Sequence, residues 1–329
     1  MNIFVTRKIP EPGLDLLRKH HKVEINPYER VLRKQEIIEN LANKDGLLCL
    51  LTDKIDKDVI LASPALKMIA NYAVGYNNID VSAATEKGIP VSNTPGVLTD
   101  TTAEMAWALL FSATRRIVEG DKLTREGKFQ GWDPNLLLGH DVKCKTLGVV
   151  GAGRIGTAFA LKSQGFNMKV LYSDECRNEN LEKNLGAKKV VLDELLKNAD
   201  FVSLHVPLNE ATHHLIGENE LKIMKDSAVL INTSRGPVID EQALVKALQE
   251  KWIFAAGLDV YENEPLVNEK LIRLKNVVLQ PHAASATIAT RTKMAIMAAE
   301  NLLAGLRGEI PPNCVNPEVF NNREKNNRN

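Results

Sequence analysis

The feature that most constrains this chain is a glycine-rich turn, Gly151-Ala-Gly-Arg-Ile-Gly156, placed between an apolar run and an Ala-rich segment. Glycines at this spacing allow a sharp turn, close approach of the backbone to a pyrophosphate, and tight packing of the next helix on the strand. The N-terminus of that helix offers unpaired amides to phosphates. The next predicted strand leads to Asp174, whose carboxylate would bind ribose hydroxyls and repel a 2′-phosphate. The turn therefore predicts a dinucleotide site. Asp174 favours NAD, and nearby Arg177 leaves NADP open.

Apolar runs and helical patterns alternate along both halves of the chain. Short runs such as Ile3-Phe-Val5 alternate with polar helical segments before residue 98, and the same rhythm returns from Leu147 onward. The candidate strands of the second region are Leu147–Val150, Lys169–Tyr172, Phe201–Val206, Ala228–Asn232, Ala256–Val260 and Asn276–Gln280. Such alternation indicates α/β architecture with parallel sheets covered by helices. Two long helices are also predicted, one from Asp100 to Arg116 with Asp100 or Thr101 as N-cap, and one over 287–306.

Composition and charge exclude several classes of protein. A length of 329 residues suggests about two domains. Lys and Arg number 42 against 41 Asp and Glu, so no basic surplus points to a nucleic-acid partner. No apolar run approaches the ~20 residues that cross a bilayer, and no signal peptide precedes the first strand, so we expect a cytoplasmic protein without a membrane partner. The polar segment 321–329 is predicted to fray.

The cysteines and histidines do not show metal-site spacing. Four cysteines lie far apart, which favours reduced thiols over a disulfide framework or a zinc site. The adjacent His213 and His214 are expected to point apart, and His205 is expected to pack inside a strand. The sequence therefore predicts no metal site.

Three polar residues follow predicted strands, where ligands of open α/β sheets bind. They are Arg235, Glu264 and His282. Arg235 could hold a carboxylate with its guanidinium, His282 could protonate a carbonyl oxygen, and Glu264 could orient the imidazole. Such a set suits the reduction of a 2-keto acid. Spacing alone leaves open that these are a solvated arginine, a turn-forming acid and a structural histidine. Neither a nucleophile elbow nor a phosphate loop is present, which disfavours hydrolases and nucleoside triphosphatases.

Four segments in order resemble the D-isomer-specific 2-hydroxyacid dehydrogenase family. They are Gly151-Ala-Gly-Arg-Ile-Gly156, Asn232-Thr-Ser-Arg235-Gly-Pro, Gly257-Leu-Asp-Val-Tyr-Glu-Asn-Glu264-Pro and Pro281-His282-Ala-Ala-Ser-Ala. The resemblance covers nearly the whole chain. It implies two Rossmann-like doubly wound parallel-sheet domains, with the dinucleotide-binding domain (99–287) inserted into a discontinuous, flavodoxin-like substrate domain (1–98 and 288–329). It also implies a homodimer.

The resemblance also implies roles for individual residues. Arg235, Glu264 and His282 correspond to the family's catalytic residues. Substrate contacts are implied for Leu51, Thr52, Val74, Gly75, Arg235 and His282. Cofactor contacts are implied for Gly151, Ala152, Gly153, Arg154, Ile155, Gly156, Asp174, Glu175, Cys176, Val206, Pro207, Thr212, Thr233, Ser234, Arg235, Asp259, His282, Ala283 and Ala284.

Within the family, Gly127-Lys-Phe-Gln-Gly-Trp132 and Leu138-Gly-His140 are most similar to the glyoxylate/hydroxypyruvate reductase branch. This implies NAD(P)H-dependent reduction of those acids to glycolate and D-glycerate. Two departures are present: Ala283-Ala284 where the family often has Ile-Gly, and Asp174-Glu175 where many NADP-using members of the branch carry a Ser-Arg-type motif. The alternatives are a D-lactate, phosphite or 3-phosphoglycerate type of dehydrogenase, and an NAD-sensing protein like the corepressors that share this fold.

Overall fold

The computed structural model describes residues 1–321 and divides into two compact units. Unit 1 comprises Met1–Leu98 together with the chain from Ala286 onward, and unit 2 comprises Thr99–Ser285. The polar segment that was predicted to fray lies, after its first residue, outside the described residues.

Unit 1 is built on a five-stranded parallel sheet with the order β2-β1-β3-β4-β5. Its strands are β1 (Asn2–Val5), β2 (Lys22–Ile25), β3 (Gly46–Leu50), β4 (Met68–Tyr72) and β5 (Val91–Ser92). Its helices are α1 (Glu11–Arg18), α2 (Lys34–Leu41), α3 (Lys57–Leu61), α4 (Val81–Glu86) and α13 (Ile288–Leu306). This strand order is that of flavodoxin-like folds.

Apolar side chains bury both faces of the unit 1 sheet. Leu14 and Leu17 of α1 pack with Leu302 of α13 on one face, while Ile37 of α2 and Val59 of α3 pack on the other. The predicted helix over 287–306 is therefore confirmed as a core element, with the Thr287 hydroxyl accepting a hydrogen bond from the Thr290 amide at 3.2 Å.

Unit 2 holds a seven-stranded parallel sheet with the order β12-β11-β10-β9-β6-β7-β8. Its strands are β6 (Thr146–Val150), β7 (Lys169–Ser173), β8 (Lys188–Lys189), β9 (Phe201–Leu204), β10 (Val229–Asn232), β11 (Ala255–Leu258) and β12 (Val277–Leu279). Its helices are α5 (Thr99–Thr114), α6 (Ile117–Arg125), α7 (Arg154–Leu161), α8 (Glu179–Leu185), α9 (Leu192–Asn198), α10 (Glu218–Ile223), α11 (Glu241–Gln249) and α12 (Glu269–Arg273).

The order of strands reverses in the middle of unit 2, between β6 and β9. Strands β7 and β8 continue on one side of β6, and strands β9 to β12 continue on the other, which is the doubly wound pattern of dinucleotide-binding folds. Two apolar clusters cover the sheet, one including Ala106 of α5 and Phe159 of α7, the other including Leu195 of α9 and Leu244 of α11. The predicted α/β fold class with doubly wound parallel sheets is confirmed.

His205 lies just beyond a strand and not inside it as predicted. Strand β9 ends at Leu204, and the His205 amide makes a final hydrogen bond to the Val150 carbonyl at 2.7 Å. The ladder cannot continue two residues later because Pro207 has no amide hydrogen. The chain turns away from the sheet at this point.

Helix α5 begins earlier than predicted. The helix starts at Thr99, so Asp100 lies in its first turn and does not act as the N-cap. The Asp100 carboxylate instead pairs with the Lys162 ammonium at 2.8 Å. A carboxylate in the first turn also suits the positive end of the helix dipole.

Across residues 1–321, every helix is too short or too polar to traverse a lipid bilayer.

We expect His205 to make the protein less stable as the pH falls. Burial lowers the pKa of His205 to about 3, and Ser203 hydrogen-bonds its ring at 2.9 Å. In the unfolded chain the His205 ring binds a proton near pH 6.5, whereas in the folded chain it stays neutral at that pH. The free energy of unfolding therefore decreases as the pH falls below about 6.5. Between pH 7.5 and 5 this amounts to about 2 kcal/mol. A His205→Gln variant should lack this pH-dependent loss when its free energy of unfolding is measured by urea titration at several pH values.

The exposed His20 provides the matched control, since a His20→Gln variant should keep the full pH dependence of the wild type. Equal pH dependence in wild type and His205→Gln would contradict the assignment.

Candidate active site

The glycine-rich turn joins β6 to α7 at the point where the strand order reverses. Gly151 has a φ of 90°, which favours glycine, and a Cβ there would lie 2.7 Å from the carbonyl carbon of His205. A Cβ on Gly156 would overlap the Gly151 carbonyl oxygen. Both positions need glycine for the packing of the protein itself.

Gly153 differs from its two neighbours in the motif. Its φ of −71° is open to any residue, and a Cβ there would meet no atom within 4 Å. The protein itself leaves this space open at the N-terminus of α7, where amides point outward. A phosphate group could approach the backbone here.

The structure brings Asp174 to the glycine-rich turn. Its carboxylate accepts hydrogen bonds from the Ala152 amide at 2.7 Å and from the Cys176 amide at 3.0 Å. Both bonds fix the carboxylate at the end of β7, and Glu175 and Cys176 follow it at the exposed surface.

The loop after β9 also lies against the glycine-rich turn. A Cβ on Gly151 would lie 2.9 Å from a methyl group of Val206. The Thr212 hydroxyl closes this loop by donating to the Pro207 carbonyl at 2.6 Å. Val206, Pro207 and Thr212 thus belong to one folded loop at the reversal point.

Strand β10 ends at Asn232, and its side chain shapes the loop that carries Arg235. The Asn232 amide donates to the Arg235 carbonyl at 2.9 Å, and its oxygen accepts from the Ser234 amide at 2.9 Å. Burial lowers the pKa of Arg235, although attraction to Glu264 opposes this. An arginine remains charged at neutral pH in spite of such a shift.

Glu264 and His282 form a hydrogen-bonded pair. The His282 Nδ1 donates to the Glu264 Oε2 at 2.8 Å, and the Tyr261 amide donates to the other carboxylate oxygen at 3.0 Å. Burial acts to raise the pKa of Glu264, but His282, the Tyr261 amide and Arg235 outweigh it and the pKa is lowered. Glu264 is therefore an ionised acceptor that holds the Nδ1 of His282, and the Nε2 of the ring takes no part in this bond.

Asp259 holds the segment that follows His282. It is fully buried, and its two oxygens accept hydrogen bonds from the Ala283 amide at 2.7 Å and the Ala284 amide at 2.9 Å. Burial raises the pKa of Asp259, while both amides act against that rise. This anchoring keeps His282 in the left-handed region, at a φ of 53°.

The predicted substrate residues of unit 1 lie at the carboxyl ends of two neighbouring strands. Leu51 and Thr52 follow β3, and Val74 and Gly75 follow β4 shortly after its end. Because β3 and β4 are adjacent and parallel, these two loops lie at the same edge of the sheet.

Two asparagines fix these loops of unit 1, and the sequence analysis did not identify them. Asn71 donates to the Gly75 carbonyl at 2.9 Å, and Asn78 donates to the Leu50 carbonyl at 3.0 Å. The two side chains also bond to each other at 3.1 Å. Asn71 and Asn78 flank Val74 and Gly75 in the sequence, so the signal was their position beside the loop.

In unit 2, sequence reasoning missed Asn178 and misjudged the two adjacent histidines. Asn178 caps α8 and also donates to the Ala152 carbonyl of the glycine-rich turn at 2.8 Å. The rings of His213 and His214 were expected to point apart, but they stack with centroids 4.1 Å apart. The positive φ of His214, 51°, breaks the alternation of side-chain direction on which that expectation relied.

The residues present suit a bound dinucleotide. The space beside Gly153 is open, Asp174 lies next to it, and the buried Thr233 hydroxyl has no hydrogen-bond partner within residues 1–321. A buried hydroxyl without a partner is costly in a protein, and a ligand that supplies the partner removes that cost.

We predict that a Gly153→Ala variant folds as the wild type does but binds NADH at least about tenfold more weakly, because the added methyl group fills space left for phosphate. Isothermal titration with NADH and thermal unfolding without ligand measure the two effects. The matched variant Gly156→Ala should lower the unfolding temperature itself. Equal NADH affinity in Gly153→Ala and wild type would contradict this use of the space.

Comparison with known proteins gives the same picture of unit 2. The sequence profile described as "D-isomer specific 2-hydroxyacid dehydrogenase, NAD binding domain" matches residues 107–284. The chain is 55% identical over 319 residues to the glyoxylate reductase of Korarchaeum cryptofilum, covering 96% of both chains.

Solved structures resemble the whole chain. A Thermus thermophilus protein superposes with a TM-score of 0.91 at 44% identity, covering 96% of this chain and 100% of the other. The NADPH-dependent glyoxylate/hydroxypyruvate reductase of Sinorhizobium meliloti, solved with NADP and malonate, has a TM-score of 0.86 at 32% identity, covering 97% and 98%. The chain belongs to the D-isomer-specific 2-hydroxyacid dehydrogenases and is an NAD(P)-dependent oxidoreductase.

Proposed function

We propose that this enzyme reduces glyoxylate and hydroxypyruvate to glycolate and D-glycerate, with His282, Glu264 and Arg235 as its catalytic residues. The observation that carries the proposal is the 2.8 Å hydrogen bond between His282 and Glu264, within electrostatic reach of Arg235. The names of relatives such as the Korarchaeum cryptofilum and Thermococcus litoralis glyoxylate reductases support the choice of substrates.

Each catalytic residue has a task that follows from its geometry. The Arg235 guanidinium binds the substrate carboxylate through paired hydrogen bonds. The Nε2 of His282 donates a proton to the carbonyl oxygen, and the imidazole becomes neutral. Glu264 stays ionised and holds the ring through Nδ1. When bound, the reduced nicotinamide supplies the hydride that the carbonyl carbon accepts.

The implied binding residues extend this assignment. For the cofactor, we assign the phosphates to the glycine-rich turn and the nicotinamide end to the Thr233–Arg235 loop and the segment from His282 to Ala284. Asp259 is assigned to the carboxamide, since a carboxylate oxygen accepts more than one hydrogen bond. Substrate contacts in unit 1 are assigned to Leu51, Thr52, Val74 and Gly75, and the asparagines that fix those loops support this.

We also assign NAD as the preferred coenzyme. The Asp174 carboxylate beside the glycine-rich turn would repel a 2′-phosphate. Arg177, which could have favoured NADP, is paired with Glu182 at 2.6 Å. The four free cysteines support a cytoplasmic location, where thiols remain reduced.

A His282→Ala variant should lose on the order of 10²–10⁴-fold in kcat, because the proton donor is gone, while its NADH affinity stays within about twofold. The measurement follows NADH consumption with glyoxylate and titrates NADH by isothermal calorimetry. A kcat equal to that of wild type would exclude His282 as the donor.

A substrate panel on the wild type tests the proposed substrates and coenzyme. It compares glyoxylate, hydroxypyruvate, pyruvate and 3-phosphohydroxypyruvate, each assayed with NADH and with NADPH. Preference for the first two supports the proposed substrates, and preference for either of the others contradicts them. NADH binding without turnover of any acid would favour a sensing protein. Equal use of NADPH would contradict the role given to Asp174.

We further propose that the enzyme is a homodimer joined through α6 and the segment 126–140. Apolar side chains in this part of unit 2 are exposed, including Phe129 (58%) and Trp132 (86%). In the described chain, α6 buries none of its residues. A loop of this length without regular structure is uncommon in a compact domain and suits a second copy as its partner.

Light scattering should therefore give twice the 36.4 kDa mass of one chain. A variant with Trp132→Ser and Leu138→Ser should shift toward the monomer, because it removes apolar area from this surface. The control Val191→Ser removes an exposed apolar residue elsewhere and should stay dimeric. A monomeric wild type would exclude the dimer.

A further inference from the structure

Three loops of unit 2 meet beside the proposed catalytic residues. They are the Arg235 loop (233–238), the Glu264 loop (259–265) and the His214 loop (209–217). The first two carry proposed catalytic residues, and the third follows the predicted cofactor residues Val206 and Pro207.

The Arg235 loop and the Glu264 loop touch at their backbones. A Cβ on Gly236 would overlap the carbonyl group of Tyr261 and the amide nitrogen of Glu262. Gly236 directly follows Arg235, and Glu262 lies two residues before Glu264. Any shift between these two loops therefore changes the separation of the guanidinium from the catalytic carboxylate.

His214 is bonded to both of these loops. Its amide donates to the carbonyl of Pro237, two residues after Arg235, at 2.8 Å. Its ring Nε2 donates to the Oε1 of Glu262 at 2.8 Å. Ile216, two residues after His214, extends the same contact, since its amide donates to the Val238 carbonyl at 3.1 Å.

The second carboxylate oxygen of Glu262 also accepts a hydrogen bond. Its donor is the Glu241 amide at 3.2 Å, and the Glu241 carboxylate in return accepts from the Glu262 amide at 3.1 Å. Glu241 is a buried residue at the start of α11, the helix that follows the Arg235 loop. The Glu262 carboxylate is thereby held from two directions.

We propose that His214 and Glu262 form a positioning pair that fixes the Arg235 loop against the Glu264 loop and so sets the geometry of the catalytic residues. This inference rests on the function proposed for Arg235 and Glu264. His214 makes no contact with the reacting atoms in this assignment. Its effect passes through the ring-to-carboxylate hydrogen bond and the backbone bond to Pro237.

A His214→Phe variant tests the pair because phenylalanine keeps an aromatic ring but cannot donate to Glu262. Its kcat/KM for glyoxylate should fall about tenfold or more, since small displacements of catalytic groups have large effects on rate. Its affinity for NADH should stay within about twofold, and its unfolding temperature should remain near that of the wild type.

A conservative variant separates the hydrogen bond from the shape of the side chain. His214→Gln keeps an N–H that can reach Glu262 and should recover most of the lost kcat/KM. His213→Phe is the matched control, since in residues 1–321 the His213 ring only stacks on its neighbour and makes no side-chain hydrogen bond. It should retain activity within about twofold of wild type.

A double variant tests whether the two residues act through each other. Adding His214→Phe to Glu262→Ala should cost no more than Glu262→Ala alone, because the shared bond is already lost. Additive losses would overturn the pairing. Near-wild-type activity of His214→Phe, or a His214→Gln variant as poor as His214→Phe, would overturn it as well.

Hydrogen–deuterium exchange gives a readout that does not depend on turnover. In the full-length His214→Phe protein, peptides spanning 235–242 and 259–266 should exchange faster than in wild type, while peptides from unit 1 should not change. Faster exchange in His214→Phe, together with a wild-type enzyme that reduces no keto acid, would support the pair and reject the proposed function. Unchanged exchange with normal turnover would reject the pair and leave the function standing.

Discussion

Parallel connectivity is the constraint on which this site depends. When each connection between strands crosses over and carries a helix, the strands run parallel and all strands of a sheet end at the same edge. In unit 2, the glycine-rich turn follows β6, Arg235 follows β10 and His282 follows β12. The fold therefore assembles a glycine-rich turn, a guanidinium and an imidazole at one edge without any of them being close in sequence.

Carboxylates held by more than one donor are the second recurring element; Asp259 is buried and Glu264 is partly exposed. Asp259 accepts from the Ala283 and Ala284 amides, and Glu264 accepts from His282 and the Tyr261 amide. A buried charge without such donors would be strongly destabilising. These bonds also fix the direction of each carboxylate, and the bond from Glu264 places the His282 ring.

Much of the fold and part of the site could be predicted from local patterns. Strand β7, predicted from Lys169 to Tyr172, extends one residue further in the structure, to Ser173. The predictions were wrong where successive side chains do not alternate in direction as they do along a regular strand. His213 and His214 stack because a positive φ turns one of them, and His205 leaves the strand because the chain diverges before Pro207. Neither event has a signal in the periodicity of apolar residues.

The sequence by itself determined the α/β class, the strand–turn–helix around Gly151 and the residues that would follow each strand, since periodicity and turn chemistry act over a few neighbouring residues. Only the tertiary structure decided which loops meet. The overlap that excludes a side chain at Gly236, and the bond from His214 to Glu262, join segments far apart in the chain. Those contacts follow from the order of strands in the sheet, and no local pattern of residues encodes that order.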